Sequence, residues 1–317
     1  GSVVTNAAGT ASVLTMTGTG NFAGRLSDSL AGDGKLSLVI SNTSATTLAK
    51  STSDYRGGTT LNGGTLYFAG DNVLGSGGLV ATAGVISSNQ GATLRTYAGA
   101  YGVAGNVTYG DSSYYSWNTV RTLDFSGATT LRSADRTFTA NTGVRFSGAG
   151  IGEDAAGRGF TKAGEGKMTL AGTNTYTGNT TLSAGTLVAG SATFAFGGSG
   201  STAGTLGLTG GILDASVDAT ITNAITFGAN LVFTGTANLT QNNGVINLGG
   251  ASRTITVNGS TLTLNGSVTS AGMGITNAGA GALVLGGIVA TTSGTVTVNA
   301  GSLRLSGVNT YTGGTTL

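Results

Sequence analysis

The chain of 317 residues has no proline, no cysteine and no histidine, and its charge is confined to 14 Lys and Arg and 12 Asp and Glu. Each absence excludes something. Without cysteine there are no disulfides, no thiolate metal ligands and no cysteine nucleophile. Without histidine a Ser-His-Asp triad is impossible, and most zinc sites go with it. Without proline every residue keeps its backbone donor, as a chain needs when nearly every amide pairs with a neighbouring strand. A net charge of +2 gives no pull toward nucleic acid or an anionic membrane. No apolar run approaches the length of a membrane-spanning helix, and no charged leader with an apolar core opens the chain. Missing cysteine does not imply the cytosol, because a protein threaded unfolded through an outer membrane would also avoid cross-linked loops.

What remains is glycine, 59 of them, with Thr, Ser, Asn, Ala and Val. Glycine this abundant without a three-residue period and without proline is not collagen. Disorder needs high charge and few β-branched residues, and this chain reverses both traits. Short alternating runs recur instead, among them Thr122–Phe125 (TLDF), Lys167–Leu170 (KMTL), Arg253–Val257 (RTITV), Thr261–Leu264 (TLTL) and Ala282–Leu285 (ALVL). Each puts apolar side chains on one face and polar ones on the other, which is the pattern of a half-buried strand. Gly, Asn-Gly or Asn-Ala-Gly follows most of them, as positive-φ corners require.

The chain also repeats itself. Gly166–Leu182 (GKMTLAGTNTYTGNTTL) returns as Gly301–Leu317 (GSLRLSGVNTYTGGTTL), with eleven of seventeen positions identical. A worn copy at Thr52–Leu66 keeps Tyr55, Gly57, Thr59, Thr60 and Leu61 in matching places. Sequence-similar repeats, many short strands and no linker favour a parallel β-helix over a sandwich or barrel. About 20–25 residues per coil, with about 4.8 Å between strands, predicts on the order of 13–15 coils. The expected architecture is all-β, one elongated solenoid rod over 1–317, with repeat copies near 32–66, 164–187 and 279–317.

The segment Gly164–Leu187 (GEGKMTLAGTNTYTGNTTLSAGTL) carries the combined pattern most fully, in Gly164, Gly166, Leu170, Gly172, Asn174, Tyr176, Gly178, Thr180, Leu182, Gly185 and Leu187. It resembles the autotransporter-associated β-strand repeat of passenger domains secreted by Gram-negative bacteria. The resemblance implies a right-handed parallel β-helix, export through an outer-membrane translocator barrel absent from this chain, and display at or release from the cell surface. It also implies a scaffold role and no catalysis. The repeat residues Gly166, Leu170, Asn174, Tyr176, Gly178, Thr180, Leu182, Asn309, Tyr311 and Gly313 are therefore read as structural. Asn and Gly make the turn, Thr faces outward or stacks, and Leu feeds the core.

Candidates for chemistry are few. Asp214 and Asp218 lie four apart, some 13 Å if extended, too far for these two alone to set a glycosidase pair. No catalytic residue, metal ligand or cofactor is expected. The strongest binding candidate is aromatic: Tyr97, Tyr101, Tyr109, Tyr114, Tyr115 and the sole Trp, Trp117, crowd into one short stretch. Exposed rings stack on sugars, so Tyr97, Tyr101, Tyr114, Tyr115, Trp117 and Arg121 form a candidate glycan or surface-binding patch. The alternative is that these rings pack a loop against the rod.

The first functional reading is a structural, non-enzymatic segment of a surface protein, an adhesin or fibre shaft. A polysaccharide-degrading β-helix enzyme is a second reading, which converging carboxylates would favour. A third is a filament subunit, since the motif stops at Leu317 and Asn6–Thr10 (NAAGT) could continue it from another copy. Expected partners are thus the translocator barrel, a surface glycan or protein, and a second copy end to end.

Overall fold

The computed structural model describes residues 3–7, 9–28, 34–48, 53–88, 94–111, 122–198, 203–242 and 244–317. They contain strands and turns in parallel ladders, about 13 turns of solenoid in all. Among them no helix is long and apolar enough to cross a membrane. The chain divides into two compact units, Gly1–Ala155 and Ala156–Leu317.

In the first unit three ladders run through 59–153, besides the pairing of Val3–Thr5 with Arg25–Ser27. One runs through Leu94–Tyr97, Thr122–Phe125 and Gly143–Phe146. A second joins 59–61 to Leu79–Ala81, Tyr101–Val103, Thr129–Leu131 and Ile151–Glu153. The third joins 65–68 to Val85–Ser88, Val107–Tyr109 and Arg136–Ala140. All these pairings are parallel and each links one coil to the next. The coils differ in length: Thr59 pairs with Leu79 across a short coil, Val107 with Phe138 across a longer one.

The second unit repeats the plan. One ladder holds Phe160–Ala163, Thr180–Leu182, Leu206–Leu208, Ile225–Phe227 and Ile246–Asn247. The next begins at Lys167–Leu170 and continues through Thr186–Ala189, Ile212–Ala215, Leu231–Phe233, Arg253–Val257, Ile275–Ala278, Val296–Val298 and Thr315–Thr316. The third holds Ala219–Ile221, Leu239–Gln241, Thr261–Leu264, Ala282–Leu285 and Ser302–Leu305. Five of the strands read from alternation, Thr122–Phe125, Lys167–Leu170, Arg253–Val257, Thr261–Leu264 and Ala282–Leu285, appear with those bounds.

Period two explains the core. Along Lys167–Leu170, Met168 and Leu170 are buried; level with Met168 stand Leu187 and then Leu213 in the following coils. Each inward side chain thus rests on its equivalent one coil away. Such columns remove apolar surface from water at about 25 cal/mol per Å². Buried amides are interleaved. Gln241, unexposed, donates to the Asn223 carbonyl at 3.1 Å and accepts from the Gly266 amide at 2.9 Å, tying neighbouring coils together.

Candidate functional site

Two sets of residues compete for a functional role: the tyrosines of the first unit and the repeated corner motif. Leu94–Tyr97 ends with Tyr97 facing inward, level with Phe125 and then Phe146 on the same ladder. Tyr101 enters from the second ladder, and Tyr109 and Phe138 from the third. They meet in the centre. Tyr101 stacks on Phe125 at 4.5 Å between ring centroids, and Phe125 stacks on Phe146 at 5.5 Å. Tyr109 meets Phe125 and Phe138 edge-on, each at 5.7 Å. The Tyr101 and Tyr109 hydroxyls bond each other at 3.0 Å, and burial pushes both phenols above their ordinary range.

This corrects part of the aromatic reading. Tyr97 is 2% and Tyr101 1% exposed, so neither presents a ring face to a sugar. The signal is in the sequence. Tyr101-Gly102-Val103 and Val107-Thr108-Tyr109 alternate as the other strands do, and that parity points the rings inward. Tyr114, Tyr115, Trp117 and Arg121 lie outside the described residues.

The corner motif builds the same object three times. In the fullest copy Tyr176 is completely buried and its hydroxyl bonds Thr180 Oγ1 at 2.5 Å. Tyr55 bonds Thr59 in the same way at 2.5 Å, and Tyr311 bonds Thr315 at 2.8 Å. The spacing Y-x-G-x-T is thus a lock: Tyr fills the corner, and Thr four residues on closes it. The intervening glycine is needed for close approach. A Cβ at Gly178 would lie 2.2 Å from the Arg158 carbonyl carbon, one at Gly57 2.4 Å from Leu36 O, and one at Gly313 2.2 Å from Gly294 O. In each copy that backbone belongs to the preceding coil.

The expectation that Thr faces outward or stacks holds for only one Thr of the pairs Thr59–Thr60 and Thr180–Thr181, while Thr315 and Thr316 are both exposed. Thr181 is half-buried on the outer face, but Thr180 points in and also donates to Phe196 O at 3.3 Å. Leu170 and Leu182 are core residues with no exposure. Asn174, also unexposed, donates to Gly172 O at 3.1 Å and to Ala195 O of the following coil at 2.8 Å. Asn309 accepts from the Val289 amide of the preceding coil at 2.9 Å.

The two best copies also sit on different faces. The strand leading out of the Tyr176 corner, Thr180–Leu182, belongs to the first ladder of its unit. The strand leading out of the Tyr311 corner, Thr315–Thr316, belongs to the second. Asn174 and Asn309 therefore cannot form one ladder, and neither can Tyr176 and Tyr311.

The carboxylates hold coils together. Asp214 accepts from the Thr236 amide and hydroxyl, each at 3.0 Å, and Asp218 from the Asn238 amide at 2.9 Å. Asp28 accepts from the Leu36 amide at 2.6 Å and from Arg56 Nε at 2.7 Å, while Arg25 pairs with Asp54. Burial raises the Asp28 pKa, but the Leu36 and Arg56 bonds outweigh it and hold the carboxyl below its ordinary value. Among the described residues no group of three or more His, Cys, Asp and Glu is placed to hold a metal ion.

The family described as passenger-associated-transport-repeat matches residues 31–67, 160–189, 275–305 and 300–317. Three of these segments contain a Tyr–Thr lock. In 275–305 the place of Tyr176 falls to Thr291, which is buried with its hydroxyl unpartnered. The chain is 35% identical over 138 residues to the adhesin BmaC autotransporter of Brucella suis biovar 1 (strain 1330), a stretch covering 44% of this chain and 4% of that protein. The chain thus spans only a small fraction of that relative's length. No solved structure matches it. Over the matched segments the chain thus carries passenger-associated-transport repeats, set in a parallel β-solenoid, and over 138 residues it is similar to an autotransporter adhesin.

Proposed function

We propose that the chain is a structural length of a cell-surface adhesin, a scaffold that carries contact surfaces and performs no reaction. The observation that supports this reading most is where the polar side chains go. Asp28, Asp214, Asp218, Asn174, Asn223 and Gln241 all bond backbone or side chains of a neighbouring coil. These bonds give the polar side chains a bracing role between coils, which supports a scaffold reading over a catalytic one. The similarity to an adhesin autotransporter supports surface display in a Gram-negative bacterium, with an outer-membrane translocator as the export partner.

Within this reading the contact surface is the remainder of the aromatic run, Tyr114, Tyr115, Trp117 and Arg121, and its ligand a glycan. The test joins two assays on the purified chain. Incubation with polyuronate and neutral polysaccharides is expected to release no reducing ends; release would overturn the scaffold reading. Glycan-array binding is expected to be lost in Trp117→Ala with the circular dichroism spectrum unchanged. Equal binding by both proteins would remove the aromatic patch.

A further inference from the structure

Two matched repeats open on a strand whose third residue is polar and faces the core: Lys162 in Phe160–Ala163 and Asn277 in Ile275–Ala278. Apolar residues surround both in the ladders. Lys162 is level with Leu182, and Asn277 with Ile255 and Val298. Neither has measurable exposure. Each is followed by Ala and a positive-φ glycine, Gly164 at 74° and Gly279 at 85°.

Their hydrogen bonds correspond. Lys162 Nζ donates to Ala163 O at 3.0 Å, to Gly164 O at 2.6 Å and, one coil on, to Ala184 O at 2.8 Å. Asn277 Nδ2 donates one coil on to Ala300 O at 2.9 Å and Ser302 O at 3.2 Å. Ala184 precedes Gly185 (φ 63°) and Ala300 precedes Gly301 (φ 68°), so the captured carbonyl occupies the same place in both repeats. The corners themselves differ. Lys162 lies on the first ladder of its unit and Asn277 on the second. The bond therefore travels with the repeat and not with a face of the helix.

We propose that this third position is the coupling residue of the repeat: a buried multi-donor side chain in one coil captures the corner carbonyl of the next and so templates its docking. An ammonium has three donors and no acceptor, and three carbonyls meet that count. Burial pulls the Lys162 pKa down to about 8, with Glu165 opposing, so the group is protonated at neutral pH and its bonds are charge-assisted. Asn277 is kept for its donors at a cost, because its Oδ1 is buried and unpartnered. A leucine, as elsewhere in the same column, would leave the corner carbonyl without a donor. The first repeat departs from the pattern. There the residue level with Leu61, the counterpart of Leu182, is the buried and apolar Ile40, and the nearby buried Asn42 donates to the preceding coil instead, at Gly18 O, 3.1 Å.

Hydrogen exchange by mass spectrometry on the full chain tests this. Lys162→Met is expected to speed exchange in 180–189 by about tenfold or more, with strands 59–68 and 79–88 of the other unit unchanged. Lys162→Asn, which installs the donor used in the other repeat, is expected to restore most of the protection. Asn277→Leu is expected to speed exchange in 296–305 in the same way. Lys162→Met exchanging like the wild type, or Lys162→Asn exchanging as fast as Lys162→Met, would overturn the coupling role. Should both Lys162 variants fail to fold, Asn277→Leu decides, and unchanged protection at 296–305 counts against it.

Discussion

Tyr101 offers the most direct test of the aromatic interior. Its ring stacks on Phe125 at 4.5 Å and its hydroxyl has the Tyr109 hydroxyl at 3.0 Å, both residues being buried. Truncation in Tyr101→Ala removes a packed aromatic and leaves a cavity, a loss of about 3–5 kcal/mol. Tyr101→Phe keeps the stacking but strands the Tyr109 hydroxyl in an apolar environment, which costs about 1–3 kcal/mol. Tyr109→Phe does the same to Tyr101. Replacing both removes the donor and the acceptor together, so the double variant is expected to lie near the wild type. The coupling in this double-mutant cycle then equals the sum of the two single losses, about 2–6 kcal/mol. Native-state hydrogen exchange in Tyr101–Val103 and Val107–Tyr109 reads the local stability, which suits a stack of coils better than one global midpoint. Wild-type protection in Tyr101→Ala would show the ring to be on the surface. Strictly additive single variants would show that the two hydroxyls are not each other's partner.

Three further outcomes follow from the corners. Tyr176→Phe removes one hydrogen bond from Thr180, which keeps its bond to Phe196 O; a loss of about 1 kcal/mol in urea unfolding is expected, and none if the lock is idle. Gly178→Ala forces a methyl group against the backbone of Arg158 and Gly159; a loss of about 1–3 kcal/mol is expected by the same measurement, and a neutral result would refute the close approach. Asp28 and Asp54 both have pKa values held below their ordinary 3.8. Their stabilisation is present above that value and lost as pH falls through the folded-state values, so acid unfolding of the first unit steepens below about pH 4, and Asp28→Asn shallows it. A pH profile unchanged by Asp28→Asn would exclude the Asp28–Arg56 brace.

Much of this architecture can be read from the residues. Alternation locates strands such as Arg253–Val257 to the residue, because period two is a local property of an extended chain. Strands made of Thr-Thr-Leu, such as Thr180–Leu182, are harder to see, since three residues are too few to establish a period. The aromatic run is visible as a cluster, but its density misleads about its direction. Density suggests a surface patch, whereas parity along Tyr101–Val103 directs the ring into the core.

Composition and local pattern are enough to set the class and the unit: no proline, abundant glycine, short alternating strands and a copied Y-x-G-x-T corner. These follow from backbone geometry, in which φ, side-chain parity and close approach are set residue by residue. Only the stacking of coils settles that Thr180 and not Thr181 turns inward, that Lys162 and Asn277 play one part on different corners, and which carbonyl each captures. Those facts depend on the lengths of all the coils between the copies, which rotate one repeat relative to the other, and no local pattern encodes that sum.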